Sequence, residues 1–203
     1  MTTKDLPEAL QAAQFEWGIQ KAGLQFTGPY NGTRQSVEFA SDRWVCGVSL
    51  PPRARARAGS VEAFLNWLCG GVNRVRLAHL GSGVRRDPFA PRGTLRGTPT
   101  LGVAAVRGNT TLSFANCAPG ATLLAGDMVS CGQLFQIAED ATANGAGVMA
   151  VELVGRVRSP LNVATAIVWN KPTAEFVMPA QSARHSHVPA ILLGAQFDLE
   201  EVW

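Results

Sequence analysis

The chain has 203 residues, 46% of them apolar, a net charge of +3 and a mean hydropathy of +0.07. These are globular values with room for one large domain or two small ones, and no run approaches the roughly 18 apolar residues that cross a bilayer. The N-terminus MTTKDLPEALQAAQ lacks a basic start followed by an apolar core, so no secretory signal is expected and the cytosol is the expected site of synthesis.

Cys46, Cys69, Cys117 and Cys131 have no CxxC spacing and sit in apolar contexts, which predicts buried free thiols. The charge is unevenly distributed. Between Arg34 and Arg107 there are twelve arginines and four acids, against six Lys/Arg and eleven acids elsewhere. Arginine favours fixed, bidentate pairing with carboxylates, so one basic region with acidic flanks suggests pairing between copies of the chain.

In chain order, residues 7–14 (PEALQAAQ) predict a short helix with Pro7 near its tolerated first-turn position. Residues 15–20 alternate as a strand, and Gly28-Pro29-Tyr30-Asn31-Gly32 is a turn cluster. Residues 35–39 and 44–50 read as strands, the second ended by Pro51-Pro52. The run RARARA follows. If extended, it sets Arg53, Arg55 and Arg57 on one face at period two, either as an anchor for phosphate or for an acidic neighbour, or simply as a solvated basic loop. Ser60 reads as an N-cap, and Val61, Phe64, Leu65 and Leu68 form one helical stripe stopped by Gly70-Gly71, giving a helix over 60–69 that should lie on a sheet. Residues 72–80 alternate as a strand with His79 at the core edge. Residues 82–99, rich in Arg, Pro and Gly, read as a long loop at a domain boundary.

From Leu101 the texture is short, even strands: 103–106, 110–114, 165–169, and a meander over 121–153. In that meander Gly126-Asp127 and Cys131-Gly132 are turn pairs, and Asn144-Gly145 is a type I′ hairpin signal. Residues 174–178 begin another strand, and the alternating tail, 190–193 and 196–203, is expected to tie into a sheet of the first domain.

The fold class expected is therefore mainly β with one short α-helix (α+β). A β-sandwich-like domain over 1–100, completed by 179–203, carries a small OB-like or SH3-like barrel over 101–178.

Candidate chemistry is sparse. His185-Ser186-His187 lacks a third metal ligand and reads as an exposed loop. Asp127, Glu139, Asp140 and Glu152 fit turn and edge positions rather than a catalytic pair, and no nucleophile–base pattern, zincin or phosphate-loop signature occurs in context. No catalytic, cofactor or metal residue is assigned. Arg53, Arg55, Arg57, Arg85 and Arg86 on the basic side, with Glu200 and Glu201 on the acidic side, are the candidate subunit-interface residues.

Two stretches carry a family resemblance. One runs from Gln35 through Arg43-Trp44, Leu50-Pro51-Pro52 and the helix containing Ala63-Phe64-Leu65; the other is LLAGDMVSCGQLFQIAEDATANGAGVMAVEL with the later KPTAEFVM. Together they resemble tail proteins of long-tailed bacteriophages, particularly distal tail proteins of the tail tip, over about residues 35–178. The resemblance implies a sandwich-like N-terminal domain with a helix, ring-forming copies, usually six, and an outward β-domain. It also implies partners in the tail tube, tape measure and baseplate hub, and a place in the virion tail tip.

The leading expectation is a non-enzymatic ring protein of the tail tip, without a cofactor or membrane partner. The alternatives are a glycan-binding module over 101–178 using Trp169, Phe114 and Phe135, and a nucleic-acid-binding protein using RARARA and the 82–99 loop.

Overall fold

The computed structural model describes residues 2–7, 14–79, 89–179, 184–188 and 191–203, with the side chains of 53–57, 184–188 and 191–193 left aside. The 7–14 helix expected from the sequence lies almost wholly outside the described residues. In chain order the strands are β1 (Thr3–Asp5), β2 (Gln14–Gln20), β3 (Gly23–Thr27), β4 (Arg34–Glu38), β5 (Arg43–Leu50) and β6 (Arg53–Ala54), followed by helix α1 (Arg55–Leu68). Then come β7 (Arg74–Ala78), β8 (Thr100–Leu101), β9 (Thr111–Ala115), β10 (Thr122–Leu123), β11 (Met128–Ser130) and β12 (Leu134–Gln136). The last five are β13 (Ala141–Thr142), β14 (Met149–Glu152), β15 (Thr173–Val177), β16 (Arg184–Val188) and β17 (Ile191–Val202). The protein is mainly β with one helix.

These elements form two compact units. The first comprises Met1–Ile19, Arg43–Leu77 and Ala174–Val202; the second comprises Gln20–Asp42, Ala78–Thr173 and Trp203. The sequence pattern predicts boundaries at residues 100/101 and 178/179. Residues 20–42 and 78–100 instead belong with the second unit. Residues 174–178 belong with the first, because β15 pairs with β17 there.

The described strands of the first unit join one sheet, in the order β1-β7-β15-β17-β5-β2, with β16 and β6 also on β17. β17 is its axis. It pairs with β5 over Ala195–Glu200 and with β6 over Ile191–Leu192 on one side, and with β15 and β16 on the other. Pro51-Pro52 separates β5 from β6, as ladder donors are missing there. Side chains alternate across a strand, so Trp44, Cys46, Val48 and Leu50 all face inward, opposite Phe197 and Leu199. Trp17 closes this face edge-on against Trp44 at 6.3 Å and Phe176 at 5.5 Å.

The helix stripe Val61, Phe64, Leu65 and Leu68 is buried, each side chain stabilising the unit by about 1.5–3 kcal/mol. The helix starts at Arg55 rather than at Ser60, so Ser60 is an interior residue and not a cap. The alanines of RARARA favour helix strongly enough to extend it backwards. Gly70 and Gly71, at φ 95° and 71°, end it as the sequence indicates.

In the second unit the described ladders are short: β14-β9-β8 form three strands, while β10-β13, β11-β12 and β3-β4 form pairs. No barrel closes among them. Turns cut the strands before a continuous ladder develops, as at Gly126 (φ 92°) and Gly132 (φ 76°). The expected strands at 103–106 and 165–169 are reduced to the single bridges Ala105–Leu161, Thr100–Ala166 and Ser130–Val168. Ala164, at φ 63°, reverses the chain just before the second of them. A shared core of Leu95, Leu101, Phe114, Leu123, Phe135 and Met149 holds these fragments together.

The type I′ turn at Asn144-Gly145 is also replaced. Neither residue has positive φ; Gly147 does, at 73°. β13 and β14 are not partners in a hairpin, because β13 pairs with β10 and β14 with β9. The meander is thus interleaved with other segments.

Candidate interaction surface

The interface candidates from the sequence fall into three groups. Arg53 lies on β6 opposite Leu192, while Arg55 and Arg57 open α1, so the extended period-two arrangement of the three does not form. Arg85 and Arg86 lie outside the described residues. Glu200 pairs with Arg43 of the same chain at 2.7 Å. Glu201 turns inward, is 2% exposed, and accepts the Trp44 backbone N–H at 3.1 Å. Its carboxylate is built into the sheet rather than offered to a neighbour.

Among the described residues, four arginines of the basic region are paired with acids from the flanks. Arg43–Glu200, Arg74–Glu175 (2.9 Å), Arg76–Asp5 (3.5 Å) and Arg92–Asp127 (3.8 Å) each join the basic region to an acidic flank. Arg156–Glu38 (3.4 Å) does the same with the signs exchanged. The sheet brings together segments far apart in sequence. Exposed pairs of this sort contribute at most about 1 kcal/mol each, and of the arginines on which phosphate binding would draw they engage Arg92. Arg107 likewise donates to the Ala40 carbonyl, and Arg96 to those of Gly93 and Leu95.

The buried polar groups are frames for the backbone. Asp127, fully buried, accepts from the N–H groups of Arg92, Gly93 and Leu124, and the Arg92 guanidinium donates to the Ala125 carbonyl. The described part of the 82–99 loop is therefore pinned into the second unit, with Leu95 fully buried, and does not act as a linker. Arg158 is buried with its guanidinium on the Leu134 carbonyl and over the rings of Phe135 and Trp203 at 5.4 and 5.3 Å. Its own N–H donates to Gln133 Oε1 at 2.9 Å. Such groups hold loops.

No group of three or more metal-ligating side chains occurs among the described residues. His185 and His187 lie on strand β16, not in a loop, and a register shift falls between Ser186 and His187. Cys46, Cys117 and Cys131 are buried free thiols, as expected, but Cys69 is exposed beyond α1. Burial pushes the thiols of Cys46 and Cys131 up to about 12, with Asp198 adding to the first and Arg158 opposing the second. Burial also raises Cys117.

The aromatics proposed for sugar stacking are engaged. Phe114 and Phe135 are buried. Trp169 donates its indole N–H to the Gly97 carbonyl at 2.9 Å and carries the Arg96 guanidinium over its ring at 5.0 Å.

What the sequence reading missed is the hairpin β3–β4. Leu24 opposes Val37 and Phe26 opposes Gln35, so Leu24, Phe26 and Val37 share one face, which Phe39 continues through its N–H bond to the Ala22 carbonyl. All ten strand residues are exposed on both faces. The apolar ones stand at 53% (Leu24), 57% (Phe26), 43% (Val37) and 46% (Phe39), and Tyr30 at the tip is fully open. Alternation in GLQFT and SVEF around the Gly28–Gly32 turn carries the signal, of which the sequence pattern above predicts only the second strand. Val103, Val106 and Val163, which flank the Ala105–Leu161 bridge in sequence, are exposed in the same unit.

Compared with known proteins, the chain matches no family model, and no curated protein is significantly similar to it.

Proposed function

We propose that the chain is a structural component of a bacteriophage tail tip. In this reading its copies assemble into a ring, six being the expected number, that joins the tail tube to the baseplate and receptor-binding apparatus. The observation that carries the reading is the β3–β4 hairpin. Two five-residue strands exposed on both faces are marginal by themselves, and Leu24, Phe26, Val37 and Phe39, each about half exposed, forgo roughly half of the 1.5–3 kcal/mol that full burial of a large side chain contributes. A neighbouring subunit supplies that burial. A ring needs a heterologous contact, one patch against a different patch on the next copy, and the aromatic hairpin face and the exposed Val103, Val106 and Val163 offer two such surfaces. The resemblance of residues 35–178 to distal tail proteins supplies the biological setting: the virion tail tip, reached from the host cytoplasm, with tail tube, tape measure and hub proteins as neighbours.

The test is the oligomeric state of the purified full-length chain, by light scattering after size exclusion and by electron microscopy. Ring-shaped particles that bind tail tube protein support the reading. A monomer at every concentration, without rings and without binding to tail components, overturns it.

A further inference from the structure

We propose that Asn144 is a spontaneous deamidation site, its reactivity set by the local fold. The chain contains two Asn-Gly pairs, Asn31-Gly32 and Asn144-Gly145, and both are exposed. Glycine after asparagine leaves the backbone nitrogen sterically open to attack the side-chain amide, because no Cβ shields it. The two sites differ in how their atoms are held.

At Asn144 the side-chain oxygen accepts two backbone N–H groups, from Ala146 and Val148, each at 3.0 Å. These bonds hold the carboxamide against the turn that contains Gly145. They also place two donors on the oxygen where negative charge develops when the carboxamide carbon is attacked, the arrangement of an oxyanion hole. The nucleophile is available, since the Gly145 N–H has no hydrogen-bond partner among the described residues. At Asn31 the oxygen is also held, by the N–H and hydroxyl of Thr33 at 3.2 and 2.8 Å. There, however, the Gly32 N–H donates to the Gly28 carbonyl at 3.1 Å, which ties up the attacking nitrogen.

The reaction needs only water. The Gly145 nitrogen loses its proton to solvent and bonds to Asn144 Cγ; the Cγ–N bond of the carboxamide breaks, ammonia leaves with a proton returned from solvent, and a succinimide remains. Water then opens the ring at either carbonyl, giving aspartate or isoaspartate. Isoaspartate moves the side-chain methylene into the main chain. This lengthens a turn closed by the Asn144 N–H on Val148 and the Gly147 N–H on Asn144, and tied to Cys117 through Gly147. The product is the substrate class of isoaspartyl carboxyl methyltransferases.

The experiment ages the full-length protein in mildly alkaline buffer, native and in urea, and maps both sites by peptide mass spectrometry, with isoaspartate counted by enzymatic methylation. In urea only the shared Asn-Gly chemistry acts, so that ratio of rates is the reference. The native ratio of Asn144 to Asn31 should exceed it by about fivefold, the weight of one engaged backbone hydrogen bond. A native ratio no higher than in urea overturns the proposal. Gly145→Ala keeps the fold, because Gly145 has no positive φ and an added Cβ meets nothing within 4 Å. This variant should suppress conversion at Asn144 and spare Asn31; unchanged conversion at Asn144 also overturns the assignment.

Discussion

Asp127 Oδ2 accepts the Gly93 backbone N–H at 3.0 Å across 34 residues of sequence. The same carboxylate takes the Arg92 N–H at 2.8 Å and the Leu124 N–H at 2.9 Å, with no exposure to solvent. A buried charge is tolerated when its lone pairs are filled and a cation is near, here Arg92 at 3.8 Å. The Gly126-Asp127 pair, which reads as a turn, is thus also the staple that ties the 92–93 segment to β10.

Removing that staple orphans three N–H donors at once. Asp127→Ala is expected to destabilise the protein by about 3 kcal/mol or more, since each unsatisfied buried donor costs about 1–3 kcal/mol. Chemical denaturation followed by fluorescence measures this. A loss below about 0.5 kcal/mol, the range of surface substitutions, would show that the carboxylate is not holding the loop.

Gly93 is required by space. An added Cβ would stand 2.1 Å from the Thr122 carbonyl oxygen, a backbone atom that cannot turn aside. Gly93→Ala should therefore cost about 2–4 kcal/mol, in the range of overpacking and strain. Gly145→Ala, with open space around it, should be near neutral on the same assay. Equal effects at the two positions would contradict the packing.

The hairpin gives the opposite expectation. Phe26→Ser with Phe39→Ser should cost the monomer less than the roughly 3–5 kcal/mol of one fully buried Phe truncation, because both residues are about half exposed. Self-association measured by sedimentation velocity should fall. Unaltered association would remove the hairpin from the interface.

The thiols set an alkaline limit. Folded-state values raised from 9.0 to about 12 at Cys46 and Cys131 mean that the native state holds these protons more tightly than the unfolded chain. Their contribution is fully present below pH 9.0 and is lost as pH rises towards 12. Stability should fall across that window, and less so in Cys46→Ala/Cys131→Ala when compared with its own neutral-pH value. Below it, a thiol reagent should label exposed Cys69 first, and rapid native labelling of Cys46 would refute its burial.

Much of the local architecture was legible in the sequence because it depends on periodicity. The stripe of Val61, Phe64, Leu65 and Leu68, the stop at Gly70-Gly71, the alternation of Trp44 to Leu50, and the tail strand returning to the first unit all follow from side chains spaced for one buried face. Which segments become neighbours does not follow from spacing. Only the tertiary structure decided that β17 runs between β5 and β15, that Glu201 turns inward to the Trp44 N–H, and that Arg43, Arg74, Arg76 and Arg92 meet acids of the flanks within one chain. Only it showed that Asn144-Gly145 closes its turn through Gly147 and that β3–β4 stands with both faces in solvent. The physical reason is range. Periodicity and turn chemistry act over a few residues, whereas register, charge pairing and exposure depend on segments that are close only after the chain has folded.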